Sequence, residues 1–243
     1  TADINLCLNG HKISGPDDAD VISVTDGIAV TVADCGGDTA ASSEAQIYHE
    51  DGVSGNGVNI VQGGTFTLYG GKISSNTCGV NNAGTFNMHG GSITGNNNDN
   101  GAGGVANTGT MQMYGGSITG NSSVAGAGAV QTEIGSVVKL GGSSKITDNT
   151  SGSEGTVCNL YLANGVAFTV DNSDDLYFKG KAGISAYNQD TLTDYDKIIT
   201  ISGNALSSNT SPYSYLEADN AAYETCKDGD GKLALRMART AVS

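Results

Sequence analysis

The chain has 243 residues, 37% of them apolar, with 37 glycines, two prolines and a formal net charge of −14. So large an excess of acid repels nucleic acid and anionic membrane surfaces, and no run approaches the ~20 apolar residues of a membrane-spanning helix. The acids crowd into the first 51 residues and the stretch from Asp171 onward, while residues 54–132 hold one acid, Asp99, and one lysine, Lys72.

In chain order, Ile4, Leu6 and Leu8 already alternate with polar residues. This predicts a chain that starts inside a coil, with an N-terminal cap and any secretory signal absent. An uncapped coil exposes unpaired strand groups and invites self-association; the oligomeric state is left open. Residues 4–8, 21–24 and 28–32 alternate between turn-like Asn9-Gly10, Asp26-Gly27 and Gly36-Gly37. Then one phrase recurs four times: Tyr69-Gly70-Gly71-Lys72-Ile73, His89-Gly90-Gly91-Ser92-Ile93, Tyr114-Gly115-Gly116-Ser117-Ile118 and, one residue longer, Leu140-Gly141-Gly142-Ser143-Ser144-Lys145-Ile146. Each copy is followed three residues after its Ile by an Asn: Asn76, Asn96, Asn121 and Asn149.

A fixed period of short alternating runs and paired glycines is the mark of a stacked β coil. In the second copy Phe86 and Met88 point inward while Thr85, Asn87 and His89 point outward, because strand side chains alternate. Gly90-Gly91 supplies a corner, Ile93 points inward again, and Asn96 sits at a corner where amides of successive coils can bond. The other copies give Phe66/Leu68/Ile73, Met111/Met113/Ile118 and Val138/Leu140/Ile146 as inward sets. Less regular coils are expected at 160–162, 167–170, 176–178 and 198–201. The fold expected is all-β, a single-stranded right-handed parallel β-helix, the hand following the rule for parallel crossovers. Coils occupy 1–201 and are most regular over 55–150. An irregular C-terminal cap fills 202–235, and 236–243 form a tail.

The phrases GTFNMHGGSITGN and GTMQMYGGSITGN resemble repeats of bacterial surface proteins with pectin-lyase-like folds. They are similar to polymorphic outer-membrane-protein repeats and to adhesin-like repeats of large cell-surface proteins. The opening LCLNGHKISG is similar to the coil that often starts such domains. The resemblance implies an extracellular or surface-anchored bacterial β-helix with a sticking or ligand-binding role. It implies no catalytic residues, since the shared positions are structural Gly, Ile and Asn.

Many β-helices of this kind cleave acidic polysaccharides, and a lyase needs a basic group to take the proton α to the uronate. Here no Arg precedes Arg236, and the central sheet offers only Lys72 and Lys139. Glycoside hydrolysis needs two carboxyls about 5–9.5 Å apart. Gly15-Pro16-Asp17-Asp18 resembles part of such a site but reads better as an acidic surface turn with Asp20. Asp171-Asn172-Ser173-Asp174-Asp175 and Asp228-Gly229-Asp230 cluster oxygen donors without the Glu of a calcium loop, and read as solvated turns. His11, His49 and His89 lack metal spacing. No cofactor and no metal site is expected. Five cysteines, Cys7, Cys35, Cys78, Cys158 and Cys226, form no Cys-x-x-Cys pair and read as buried thiols; an extracellular setting leaves room for one disulfide between neighbouring coils.

One surface feature stands out. Tyr69, His89 and Tyr114 share the outward position before the Gly-Gly corner, with Thr67, Asn87 and Gln112 beside them. Tyr69, His89, Tyr114, Asn87 and Gln112 are the candidate ligand-binding residues. Rings beside amides suit a neutral sugar or a protein loop, although stacked rings also stabilise a sheet by themselves. The expected role is a non-enzymatic extracellular module for adhesion, binding a glycan or host surface protein without nucleic acid or membrane insertion. The alternatives are a carbohydrate-active enzyme, active or decayed, and a structural spacer of a large surface protein.

Overall fold

The computed structural model describes residues 3–36, 45–163, 166, 168–171, 178–186, 199–202, 216–227 and 233–237. Among these the chain is all-β, with no helix and hence none long and apolar enough to cross a membrane. Eight strands form one wholly parallel sheet: Ile4–Cys7, Ala29–Ala33, Thr65–Leu68, Thr85–Met88, Thr110–Met113, Val137–Leu140, Phe168–Asp171 and Ile199–Ser202.

A larger sheet consists of two parallel rows joined through the strand Lys181–Ala186. One row runs through Lys12–Ser14, Gln46–Tyr48, Lys72–Ile73, Ser92–Thr94, Ser117–Thr119 and Lys145–Thr147. The other runs through Ile22–Val24, Asn56–Ile60, Cys78–Asn82, Val105–Asn107, Val130–Thr132 and Leu160–Leu162. Along the chain, each of the first six strands of the first sheet is followed by one from each row before the first sheet is rejoined; after Phe168–Asp171 the described residues hold Lys181–Ala186, which joins both rows, before Ile199–Ser202. This order is compatible with a parallel β-helix.

Register puts like residues over like. Val30, Phe66, Phe86, Met111, Val138 and Phe168 pair in succession, and all are buried. Ile47, Ile73, Ile93, Ile118 and Ile146 do the same in the first row of the larger sheet. From Phe66 to Val138 and from Ile73 to Ile146 the columns are the inward sets expected from strand alternation, Ile47 extends the second, and both join one buried apolar cluster. The Gly-Gly corners are crowded as well as tightly turned. Gly91 has φ +75°, and a Cβ there would lie 2.7 Å from the Gly71 carbonyl of the preceding copy. Only a residue without a side chain fits both conditions.

The Asn corners are more elaborate than alternation foretells. After Asn96, Asn121 and Asn149 the chain forms further short strands, Asn97–Asn98, Ser122–Ser123 and Thr150–Ser151, joined as a small sheet to which Thr156–Val157 adds antiparallel. The residue before each Asn is left-handed: Ser75 φ 59°, Gly95 φ 66°, Gly120 φ 66° and Asp148 φ 62°.

Two further differences from the sequence expectations concern cysteine and the later strands. Cys7 and Cys35 are joined by a disulfide across 28 residues, with Cα atoms 5.8 Å apart, whereas Cys78 and Cys158 are buried free thiols. Of the strand expected at 176–178, residues 176–177 lie outside the described residues and Phe178 is buried; a strand that was not expected runs over Lys181–Ala186.

Of the stretch 202–235 expected as a cap, residues 203–215 and 228–232 lie outside the described residues. Leu216–Ala218 adds in parallel to Lys181–Ala186, and Tyr223–Lys227 pairs antiparallel with Leu233–Met237. Arg236 and Met237, placed in the tail, belong to this last strand; residues 238–243 lie outside the described residues.

Candidate functional site

Tyr69, His89 and Tyr114 each follow the last residue of a first-sheet strand. Their N–H groups donate to Val32, Leu68 and Met88 carbonyls at 2.8 Å, so the strand pairing continues through all three. The rings stack accordingly. Tyr69 and His89 have centroids 4.8 Å apart and planes 11° from parallel; His89 and Tyr114 are 5.5 Å apart at 26°. In register beside them stand Thr67, Asn87, Gln112 and Lys139, and beyond these Thr65, Thr85, Thr110 and Val137.

Asn87 Nδ2 donates to Thr67 Oγ1 at 3.4 Å, and the Tyr114 hydroxyl donates to Gln112 Oε1 at 2.9 Å. The Lys139 ammonium lies 5.8 Å from the Tyr114 centroid. All five candidate binding residues therefore share one outward surface. Because the rings stack on each other, their faces look along the strand-to-strand direction and only their edges face outward. A flat ligand laid over the ridge meets ring edges and polar groups; ring faces are open only at the ends of the stack.

The histidines have separate roles. His89 belongs to the stack, while His49 is buried, with Nδ1 2.8 Å from Asn76 Oδ1 and Nε2 2.9 Å from the Ala19 carbonyl. Asn76 begins a buried amide chain. Its Nδ2 donates to Asn96 Oδ1 at 3.0 Å, Asn96 to Asn121 at 2.8 Å, Asn121 to Asn149 at 2.9 Å and Asn149 to Asn159 at 2.9 Å. Asn159 Nδ2 then donates to Asp219 Oδ1 at 2.6 Å, and Ser185 Oγ donates to Asp219 Oδ2 at 2.6 Å. Every amide points the same way. The oxygen end meets a histidine and the N–H end a carboxylate.

The remaining acidic candidates are tied to Ser54 and Asn56 of the neighbouring repeat. Asp17 Oδ1 accepts from Ser54 N at 2.9 Å, and Asp18 Oδ1 accepts from Ser54 Oγ at 2.7 Å. The Ser54 N–H holds the Asp17 carboxyl below its ordinary value. Asp20 Oδ1 accepts from Asn56 Nδ2 at 2.8 Å, so this acidic turn clamps the neighbouring repeat. Of the two oxygen-rich stretches considered for calcium, Asp171 lies in a strand, and residues 172–175 and 228–230 lie outside the described residues. Among the described residues no group of three or more His, Cys, Asp or Glu converges as a metal site.

A recess of about 330 Å³ was not foreseen, because its walls come from repeats far apart in sequence. It is lined by Lys145, Thr147, Asp148, Asn159, Lys181, Glu217 and Asp219, among others. Its charges pair with one another: Lys145 Nζ is 3.7 Å from Asp148 and Lys181 Nζ is 2.9 Å from Glu217. Asp219 is taken up by Asn159 and Ser185.

Comparison with known proteins returns no family model, no curated protein and no solved structure that matches this chain.

Proposed function

We propose that the chain is one right-handed, single-stranded parallel β-helix that serves as a non-enzymatic adhesion module outside a bacterial cell. Its first sheet would offer the outward surface around Tyr69, His89 and Tyr114 to a glycan or a host surface protein. The observation that carries this reading is the stacked ridge itself, set among Thr65, Thr85, Thr110, Asn87 and Gln112 on a surface with little charge. Rings beside amides and hydroxyls, with Lys139 the charged neighbour at one end, suit a neutral polar ligand. The right hand follows from the chirality of parallel crossovers. An export compartment is supported by the Cys7–Cys35 disulfide, since such bonds persist in oxidising surroundings. The resemblance of the Gly-Gly-Ile and Asn repeats to surface proteins points the same way.

The test is a glycan and mucin array probed with the parent and with the double variant Tyr69→Ala/Tyr114→Ala. The variant loses binding while its melting temperature stays close to the parent's. Equal retention by both proteins would remove the ridge from the account. A second reading, a carbohydrate-active enzyme, draws on the recess that gathers Asp148, Glu217, Lys145 and Lys181. Each of those two carboxylates lies beside one of the lysines in an exposed ion pair. Release of reducing ends or unsaturated uronates from pectin or alginate would reverse the order of the two readings.

A further inference from the structure

The two ends of the aromatic stack differ. Leu140 pairs with Met113, so the column passes from Tyr114 to Gly141, and the Lys139 ammonium sits over that ring face. At the other end Val32 pairs with Leu68, so the column passes from Tyr69 to Ala33, and from Ala33 to its partner Cys7. A single methyl group cannot cover a phenol ring. Tyr69 is accordingly 54% exposed, while Tyr114 is half-buried. One layer further on, exposed Cys7 is bonded to exposed Cys35. Parallel strands lie about 4.8 Å apart, so Tyr69 and Cys7 are separated by two layers, about 10 Å. The slot between them has Ala33 as its floor and the Tyr69 ring as one wall; Cys7 stands on the other side, and its partner Cys35 belongs to the same coil as Ala33.

We infer that this slot is a stacking subsite for one pyranose ring of a neutral glycan. The inference rests on the proposed glycan-binding role and narrows it to one end of the ridge. The sugar takes the place that a fourth ring would occupy, with its C–H face on Tyr69. Asn5, Thr31 and Thr67 share the same outward side two residues along their strands, and supply an amide and two hydroxyls for the sugar's own hydroxyls. Asp34 follows Ala33, and its Oδ1 accepts from Gly10 N at 2.9 Å and from Gly36 N at 3.4 Å. A carboxylate at the slot's edge disfavours uronic and sialic acids, which selects an uncharged ring.

The experiment titrates xylohexaose, cellohexaose and lacto-N-tetraose into the parent, Ala33→Tyr, Tyr69→Ala and Tyr114→Ala, following Tyr69 ring protons by NMR and affinity by calorimetry. At least one of these sugars shifts the Tyr69 resonances of the parent. Ala33→Tyr continues the stack into the slot and weakens binding about tenfold, as does Tyr69→Ala, the scale of one lost ring contact. Tyr114→Ala loses less affinity than Tyr69→Ala, because its ring lies two strand steps from Tyr69 on the side away from the slot. Should Ala33→Tyr fail to fold, Ala33→Leu blocks the same space. If Tyr114→Ala loses as much affinity as Tyr69→Ala while Ala33→Tyr and Ala33→Leu lose none, the ridge binds and the slot does not. If the parent binds none of the three sugars and nothing on the array, the glycan reading falls together with the slot.

Discussion

Asn121 has almost no contact with solvent, so each of its hydrogen bonds must be met inside the protein. Oδ1 accepts from Asn96, while Nδ2 donates to Asn149 Oδ1 and to the Ile93 carbonyl at 3.0 Å. Asn121→Ala leaves groups unpaired on both neighbours, and a loss of about 3 kcal/mol is expected by denaturant unfolding. A loss below about 0.5 kcal/mol would mean that the amide chain adds nothing to stability. Cys78 makes a simpler case: complete burial pushes its thiol up to about 11. Iodoacetamide at neutral pH should leave Cys78 unmodified in the native protein and alkylate it after unfolding, as read by peptide mass spectrometry. Alkylation of the native protein at the rate of a free thiol would contradict the burial.

Strands of this chain are three to five residues long for the most part, too short to stand without neighbours above and below. Their inward residues were legible because two-residue alternation repeated at a fixed distance from Gly-Gly: Phe66, Phe86 and Met111 pair in register as read. The Asn bonds among repeats were legible for the same reason, one Asn at one corner. Asn159 and Asp219, which finish the amide chain, were not, since neither lies in a copy of the phrase. Nor was His49, which takes the place of an Asn at the other end. The ridge residues were correctly placed on one surface, but alternation says nothing of ring tilt, and tilt decides whether faces or edges meet a ligand. Room for one disulfide between neighbouring coils was legible, but not which cysteines form it, because spacing alone does not reveal which strands are adjacent; Cys7 pairs in the sheet with Ala33, two residues before Cys35. Closing a 28-residue loop, it should contribute about 3.6 kcal/mol, and Cys7→Ser/Cys35→Ser should lower the melting temperature accordingly. Unchanged melting under reducing and oxidising conditions would argue that the bond does not form.

At the scale of the whole molecule, the first sheet and the two rows of the second end together at Ile4–Cys7, Lys12–Ser14 and Ile22–Val24. Ile4 is 52% exposed there, while the corresponding residues of later repeats, Val30 and Phe66, are buried. The apolar column thus continues to the edge of the described strands. Both the ridge and its slot depend on successive repeats lying one strand spacing apart along a common axis. Pulsed electron–electron resonance between spin labels at Thr31 and Thr169 measures this spacing, since both point outward in one register column and five strand steps separate them. A stacked β-helix predicts a narrow distribution near about 24 Å. A broad distribution, or a peak displaced by more than about 10 Å, would show that the repeats do not share one axis.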